Sequence, residues 1–453
     1  MSPVHAASSV MLVALLLLEE FRCVIPTTVL QLQRLSPTER EFNIKEARIR
    51  DRARHGRNLQ GFPEGVVSLP VQGSSNPLNS GIYLTKVRLG NPPREFRVQI
   101  DTGSDVLWIA CSSCINCPTT SGLGIALDYL DPASSSTASV VSCSDPMCTS
   151  GVPTAATECL TNNNQCGYSF RYGDGSGTSG FYVSDELHFD MTLKTSSVVN
   201  SSASVTFGCS TEQTGELTKT EKAIDGIFGF GRGPLSVVSQ LSSREIIPKV
   251  FSHCLKGDSD GGGLLVLGEI LEPNIVYTPM LPSKTHYNLN LQSISVKETV
   301  LPIDPSVFVT SNRQGTIVDS GTTLTYLLGD AYDHFVAAIN EAVTGQVTLS
   351  NSNGSPCYLV TSSLSGIFPL ASLNFAGNTS MKLKPNDYLV YTGLVGGIAQ
   401  WCIGFERIQQ GTMILGDLVL KDKIVVYDLA RRRIGWAEHD WSHNFRPGRF
   451  VRL

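Results

Sequence analysis

Asp101-Thr102-Gly103-Ser104 and Asp319-Ser320-Gly321-Thr322 repeat one pattern, Asp-Thr/Ser-Gly-Ser/Thr, 218 residues apart. Once, such a tetrapeptide is ordinary turn chemistry. Twice, it points to two similar halves that bring both aspartates to a common face. Adjacent carboxylates there cannot easily ionise together, so they share one proton. One carboxyl can then take a proton from water while the other protonates a carbonyl oxygen, which is direct hydrolysis of an amide. Gly103 and Gly321 let the loops turn sharply and approach each other, and the hydroxyls of Ser104 and Thr322 can bind the outer carboxylate oxygens.

Strands must deliver these loops. Phe96 to Ile100 runs into Asp101 and Thr316 to Val318 runs into Asp319. Each motif is followed by an apolar stretch, Val106-Leu107-Trp108-Ile109 or Leu324-Thr325-Tyr326-Leu327, and later by Ile227-Phe228-Gly229 or Ile414-Leu415-Gly416. The recurrence predicts duplicated lobes that meet near residues 273 to 285. Gly81 to Gly90 alternates like a strand and ends at Asn91-Pro92-Pro93. Short runs of Val, Ile, Leu, Phe and Tyr, broken by 41 Gly and 23 Pro, predict a mostly β protein with few long helices. One helix is expected after the second motif, with Asp330 as N-cap and Tyr332, Phe335, Val336, Ile339, Ala342 and Val343 on its packing face.

With 453 residues, 17% of them charged, and a net charge of −5, the chain is long enough for two to three domains with a weakly charged surface. Its body holds no basic cluster, which argues against a nucleic-acid partner. Val10 to Leu18 has the length of a signal-peptide core and is too short to span a bilayer. Residues 31 to 60 form a basic, helix-favouring block. Removing residues 1 to 60, with nine basic and six acidic side chains, takes the formal charge from −5 to −8. A basic leader could thus be held to an acidic body and released in acid; a solvated helical linker is the other reading. Asn200, Asn353 and Asn378 are candidate glycosylation acceptors. Of twelve Cys, Cys23 lies in or beside the leader, and the remaining eleven cannot all pair internally. Cys111, Cys114 and Cys117 have the spacing of a metal knuckle, but a secretory setting favours disulfides.

Two other chemistries find little support. Gly175 to Gly180 satisfies G-x-G-x-x-G, yet Phe181 to Phe189 continues as a strand, whereas a dinucleotide fingerprint should open a helix. A hairpin tip explains those glycines. No G-x-S-x-G elbow is present and the eight His are scattered, so a serine-hydrolase site is not expected.

Gly90-Asn91-Pro92-Pro93, Asp101-Thr102-Gly103-Ser104-Asp105, Trp108, Tyr172-Gly173-Asp174-Gly175-Ser176, Gly226 to Gly231, Asp319 to Thr323 and Ile414-Leu415-Gly416-Asp417 occur in this order. Together they resemble the pepsin-like aspartic proteases, specifically the plant nepenthesin-like branch, over residues 80 to 437. A shared-proton pair is a known property of that family. The resemblance implies a bilobal, mostly β fold whose active-site cleft lies between two pseudo-twofold-related lobes. It implies an aspartic endopeptidase with Asp101 and Asp319 catalytic, Ser104 and Thr322 orienting them, and Thr102 and Ser320 linking the loops. Tyr172 matches the flap tyrosine that bonds Trp108, with Gly173 and Asp174 offered to the peptide backbone. An acidic optimum and bulky apolar residues beside the cut bond are implied too. So are a cystine-rich insert in the first lobe and a Cys357–Cys402 loop in the second. Where close relatives carry a Cys after the segment matching Ile434-Gly435-Trp436, this chain has Trp441 nearby, which puts the partner of Cys254 in question.

The expected organisation is a signal peptide over 1 to 25, a basic propeptide over 26 to 75, an N-terminal lobe over 76 to 275, a C-terminal lobe over 276 to 440 and a divergent tail over 441 to 453. Protein or peptide substrates, a monomer, and a secretory destination (extracellular or cell wall, with the vacuole as an alternative) are expected. No cofactor, metal, lipid-anchor signal or membrane span beyond the signal peptide is expected. The competing reading is an inactive protease-like protein that acts as an inhibitor or binding protein.

Overall fold

In Arg94–Asp101 the alternation of strand side chains sends Phe96, Val98 and Ile100 fully into the core while Arg97 and Gln99 face the other way. Burying each such side chain contributes roughly 1.5–3 kcal/mol, so the strand that ends in Asp101 is firmly held. The computed structural model describes residues 65–74 and 81–441, apart from 150–155, 162, 194–197, 258–260, 269, 271 and 353. The expected signal peptide, residues 26–64 and 75 of the expected propeptide, Asn353 and residues 442–453 lie outside the described residues.

Strands dominate, and among the described residues only one helix, Gly329–Ala342, is longer than seven residues. In the first half, Gly226–Gly229 lies between the strand that leads into Asp101, with which it is parallel, and Leu107–Ile115, with which it is antiparallel. The second half repeats the device: Thr412–Leu415 runs parallel to Gly315–Val318, which leads into Asp319, and antiparallel to Thr325–Leu328. These are the two apolar-apolar-Gly elements of the sequence. Glycine is required in the first because a Cβ at Gly226 would meet the carbonyl of Trp108 and one at Gly229 the backbone of Val106.

A fifteen-stranded sheet carries the first half and does not stop at it. Val250–Leu255 pairs on one side with Gly263–Leu267 and on the other with Lys423–Asp428, which continues to Arg433–Glu438 and Val276–Pro279. Strands from the end of the chain therefore complete a sheet begun near residue 65.

The helix forms where expected and buries Ala331, Phe335, Val336 and Ile339, with Val343 buried just beyond its end. Its start differs. Leu328, the last residue of Thr325–Leu328, occupies the N-cap position without a side-chain bond, and Asp330 sits in the first turn. The strand passes directly into the helix, leaving no separate capping residue. The Asp330 carboxylate instead accepts from the Asp304 N–H at 3.4 Å and lies 3.4 Å from His334 Nδ1.

Candidate active site

Both aspartates are buried at the ends of strands, on loops built alike. Gly103 N–H donates to Asp101 Oδ1 at 2.8 Å, and the Ser104 hydroxyl donates to Oδ2. In the second loop Gly321 N–H donates to Asp319 Oδ1 at 2.8 Å and Thr322 Oγ1 to Oδ2 at 2.6 Å. The loops are stitched to each other. Thr102 N–H donates to Ser320 Oγ at 3.3 Å, Ser320 N–H to Thr102 Oγ1 at 2.9 Å, Thr102 Oγ1 to the Val318 carbonyl at 3.4 Å and Ser320 Oγ to the Ile100 carbonyl at 3.1 Å. Exchanging the halves reproduces the pattern, as a twofold relation demands.

The glycines permit this approach. A Cβ on Gly103 would lie 2.6 Å from Asp319 Oδ1, and one on Gly321 would collide with Asp101 Oδ1. Each glycine faces the other half's carboxylate. Burial, then the charge of Asp319 and a hydrogen bond shared with it, raise the Asp101 carboxyl from 3.8 to about 7, against the opposing bonds from Ser104 and Gly103. A proton therefore stays in the pair across the acid range.

Behind the loops, Phe230 N–H donates to the Asp101 carbonyl at 2.7 Å and Gly231 N–H to that of Ser104 at 2.7 Å. Tyr287, from the second half, donates its hydroxyl to the Phe230 carbonyl at 2.6 Å, while Arg232 reaches the carbonyls of Leu281, Lys284 and His286 at 3.3, 3.1 and 3.4 Å. Neither Arg232 nor Tyr287 was legible as a site residue, because no local pattern marks a side chain that ties two distant loops.

A third acid was also missed as an acid. Asp417 is buried, and its carboxyl is held well above the usual range by burial first, then by the charges of Asp319 and Asp101. Its Oδ1 has no hydrogen-bond partner among the described residues. The available signal was an aspartate inside the apolar run Met413 to Leu420.

Gln165–Arg171 and Gly177–Leu193 form a hairpin whose tip carries residues 172–176. Gly175 adopts φ 86°, which turns the tip at no steric cost. Trp108 Nε1 donates to the Tyr172 hydroxyl at 2.7 Å. Burial raises that phenol's pKa, and the charge of Asp101 adds to the effect. Gly173 and Asp174 are exposed at the tip. Asp174 Oδ1 is engaged within the turn, accepting from Ser176 N–H at 2.9 Å and Ser176 Oγ at 2.6 Å.

Disulfides join Cys111–Cys209, Cys114–Cys117, Cys143–Cys159, Cys148–Cys166 and Cys357–Cys402. All three sulfurs of the possible metal knuckle are thus in disulfides. Among the described residues no group of three His, Cys, Asp or Glu could hold a metal ion. Cys254 is a buried free thiol, and Trp441 packs on the cluster that contains it while donating Nε1 to Asp422 Oδ1 at 3.0 Å. Asn200 and Asn378 are exposed, the first donating to Asp190 Oδ1 at 3.0 Å. Among the described residues no helix is long and apolar enough to cross a membrane.

Duplicated β halves that present paired, loop-borne aspartates beside a tyrosine-bearing hairpin define a pepsin-like two-aspartate protein. The chain belongs to the pepsin-like aspartic protease family: family models described as xylanase inhibitor N-terminal and xylanase inhibitor C-terminal match residues 83–269 and 286–438, and its relatives carry aspartic proteinase names. It is 35% identical to "Aspartic proteinase 36" of Arabidopsis thaliana over 90% of this chain and 83% of that protein. It is 30% identical to "Aspartic proteinase nepenthesin-1" of Nepenthes gracilis, over 88% and 86% respectively. Basic 7S globulin from soybean shares the fold with a TM-score of 0.64 at 20% identity, over 83% of this chain and 97% of that one.

Proposed function

We propose that this protein is an aspartic endopeptidase, with Asp101 and Asp319 as its catalytic pair, that cuts internal bonds of peptides or proteins at acidic pH. The observation that carries the reading is the mutual approach of two fully supported carboxyls, each lying against the glycine of the other half's loop. With one proton in the pair, on the Asp101 side, the Asp319 carboxylate takes a proton from water as the water oxygen attacks the amide carbon. Asp101 gives its proton to the carbonyl oxygen, producing a neutral gem-diol. Proton transfer from the pair to the amide nitrogen and loss of a diol proton back to it then break the C–N bond, releasing amine and acid and returning one proton to the pair. Tyr172, steadied by Trp108, closes the side above the pair, and exposed Gly173 and Asp174 supply backbone groups to an extended peptide. The relatives named as proteinases support this reading, and five disulfides support maturation in an oxidising, secretory compartment.

The description of the matching family models favours a second reading, in which the chain binds a glycan-degrading enzyme without cutting it. Incubating the acid-treated protein with a denatured protein separates the two. Cleavage that is blocked by pepstatin and absent in Asp101→Ala is expected. Absence of cleavage in the wild type, together with inhibition of a xylanase, would establish the second reading instead.

A further inference from the structure

The stitching of the two active-site loops is symmetrical, but what surrounds it is not. Gln99, half-buried on Arg94–Asp101, donates from Nε2 to the Gly321 carbonyl at 3.1 Å. The direction is unambiguous, because in a glutamine amide only the nitrogen can donate. Gln99 lies two residues before Asp101, and its counterpart two residues before Asp319 is Ile317, whose side chain has no donor to offer the first loop. A second tie points the same way. The Thr323 hydroxyl donates to the Gly81 carbonyl, whereas the matching position after Asp101 is Asp105, whose Oδ1 accepts from Gly233 N–H at 2.7 Å within its own half. At these positions the first half holds the second loop and nothing is returned.

The carbonyl that Gln99 holds stands between the two donors on Asp319. Gly321 supplies the N–H to Oδ1 at 2.8 Å, and Thr322 supplies the hydroxyl to Oδ2 at 2.6 Å. The Gly321 carbonyl and the Thr322 N–H belong to one planar peptide unit, and that N–H donates to the Asp319 carbonyl at 3.4 Å. Glycine is needed here for close approach, since a Cβ on Gly321 would collide with Asp101 Oδ1. Its backbone is for the same reason the freest in the loop. Gln99 supplies from the neighbouring half the restraint that the missing side chain does not.

We infer that Gln99 is a positioning residue: it pins the Gly321–Thr322 peptide and with it the two hydrogen bonds that hold the Asp319 carboxyl. The catalytic part of this inference rests on the endopeptidase reading, in which Asp319 is the base, whereas the geometric part does not. Gln99→Leu removes the donor at nearly constant volume. Gln99→Glu restores it conditionally, because a protonated carboxyl can donate to the Gly321 carbonyl and an ionised one cannot.

Two measurements on the acid-treated wild type and both variants test it. The first is amide hydrogen exchange. Faster exchange at Gly321 and Thr322, with Gly103 and the core amide of Leu373 unchanged, is expected in Gln99→Leu. Gln99→Glu should match wild type at pH 3 and approach Gln99→Leu at pH 7, as its carboxyl ionises above about 4.3. The second is peptide cleavage, in which kcat is expected to fall about tenfold in Gln99→Leu with little change in KM, as for a displaced catalytic group. In Gln99→Glu, kcat relative to wild type should be near one at pH 3 and decline as pH rises, a split that a merely structural glutamine would not produce. If Gly321 and Thr322 exchange like wild type in Gln99→Leu, or Gly103 quickens as much as they do, the inference is overturned. An unchanged kcat in a variant whose loop amides respond overturns its catalytic part. If the loop amides respond but the wild type cleaves nothing, the place of Gln99 stands and the endopeptidase reading fails. Should Gln99→Leu not fold, Gln99→Glu decides alone: loop exchange that stands in the same ratio to wild type at pH 3 and pH 7 overturns the inference.

Discussion

At Asp101 the requirements of the proposed catalysis and of stability oppose each other. Its folded-state pKa, near 7, lies above the value of about 3.9 expected for an unfolded chain. The folded state therefore binds more protons between those limits, so stability is full below about 4 and falls as pH rises toward 7. Asp101→Asn is expected to abolish cleavage, by at least ~10³-fold in kcat, and yet to melt higher than wild type at pH 7. The melting gain should vanish near pH 3. An unfolding series from pH 3 to 8 checks both; equal gains at every pH would contradict the assignment of burial and the neighbouring charge as its cause. Asp417 acts in the same direction, because its carboxyl is also raised. The aspartates at 101 and 319 were legible from their repeated context, whereas Asp417 was read only as the last residue of the Ile414-Leu415-Gly416-Asp417 segment that resembles the family. Its acidity is a consequence of where the strand ends, which no tripeptide states.

The hairpin and its anchors show what a strand pair adds to the residues it carries. Trp108 and Tyr172 are 64 positions apart, and one hydrogen bond fixes the hairpin's height above the carboxyls. Losing a bond of about 1 kcal/mol should lower kcat/KM by roughly fivefold to tenfold in Tyr172→Phe while leaving the melting temperature within a degree or so, since the tip itself is exposed. A comparable loss of stability would mean that the bond supports the fold and not the tip's position. The Cys111–Cys209 disulfide spans 98 positions and joins the strand that carries Trp108, Leu107–Ile115, to Val198–Thr214. Closing so long a loop contributes about 4 kcal/mol, so Cys111→Ala/Cys209→Ala should unfold at markedly lower denaturant concentration than a variant lacking the half-buried, short-range bridge Cys114–Cys117. Strand positions were legible because alternation and glycine breaks are local. The helix N-terminus was not, since Leu328 belongs to a strand and its role depends on where that strand stops. Nor were the pairings inside the insert, because ten bonded cysteines admit many connectivities and distance in sequence does not choose among them.

Across the whole molecule, His253 opposes Asp101. Burial lowers its imidazole from 6.5 to about 3, so the unfolded chain takes up a proton there that the folded chain does not. Stability from this group is complete above about 6.5 and is lost as pH falls toward 3, by on the order of 5 kcal/mol. Tyr427 is the titratable group seen against it, and burial keeps that phenol neutral. His253→Gln should therefore unfold less readily than wild type at pH 3 and no more than slightly differently at pH 7. If its advantage does not grow with acidity, the imidazole is not the acid-labile group. Between the aspartates, which favour the folded state in acid, and this histidine, which disfavours it, the fold is most stable in mild acid. Duplication was plain from the repeated motifs, and so was the mostly β class. The histidine's place was hidden, because its strand acquires its second neighbour only from a segment about 170 residues later in the chain.

That pairing governs the order in which the protein can be made. Val250–Leu255 leaves the ribosome with Gly263–Leu267 close behind to cover one edge, but its other edge waits for Lys423–Asp428. At a synthesis rate of ~5–20 residues per second the wait is roughly 10–30 s. Throughout it a strand that is buried along its whole length in the finished fold, carrying the unpaired thiol of Cys254, lies open to pairing with other chains. A translation stalled upstream of residue 423 is thus expected to leave a sticky, thiol-bearing intermediate with an uncovered strand edge instead of a folded half.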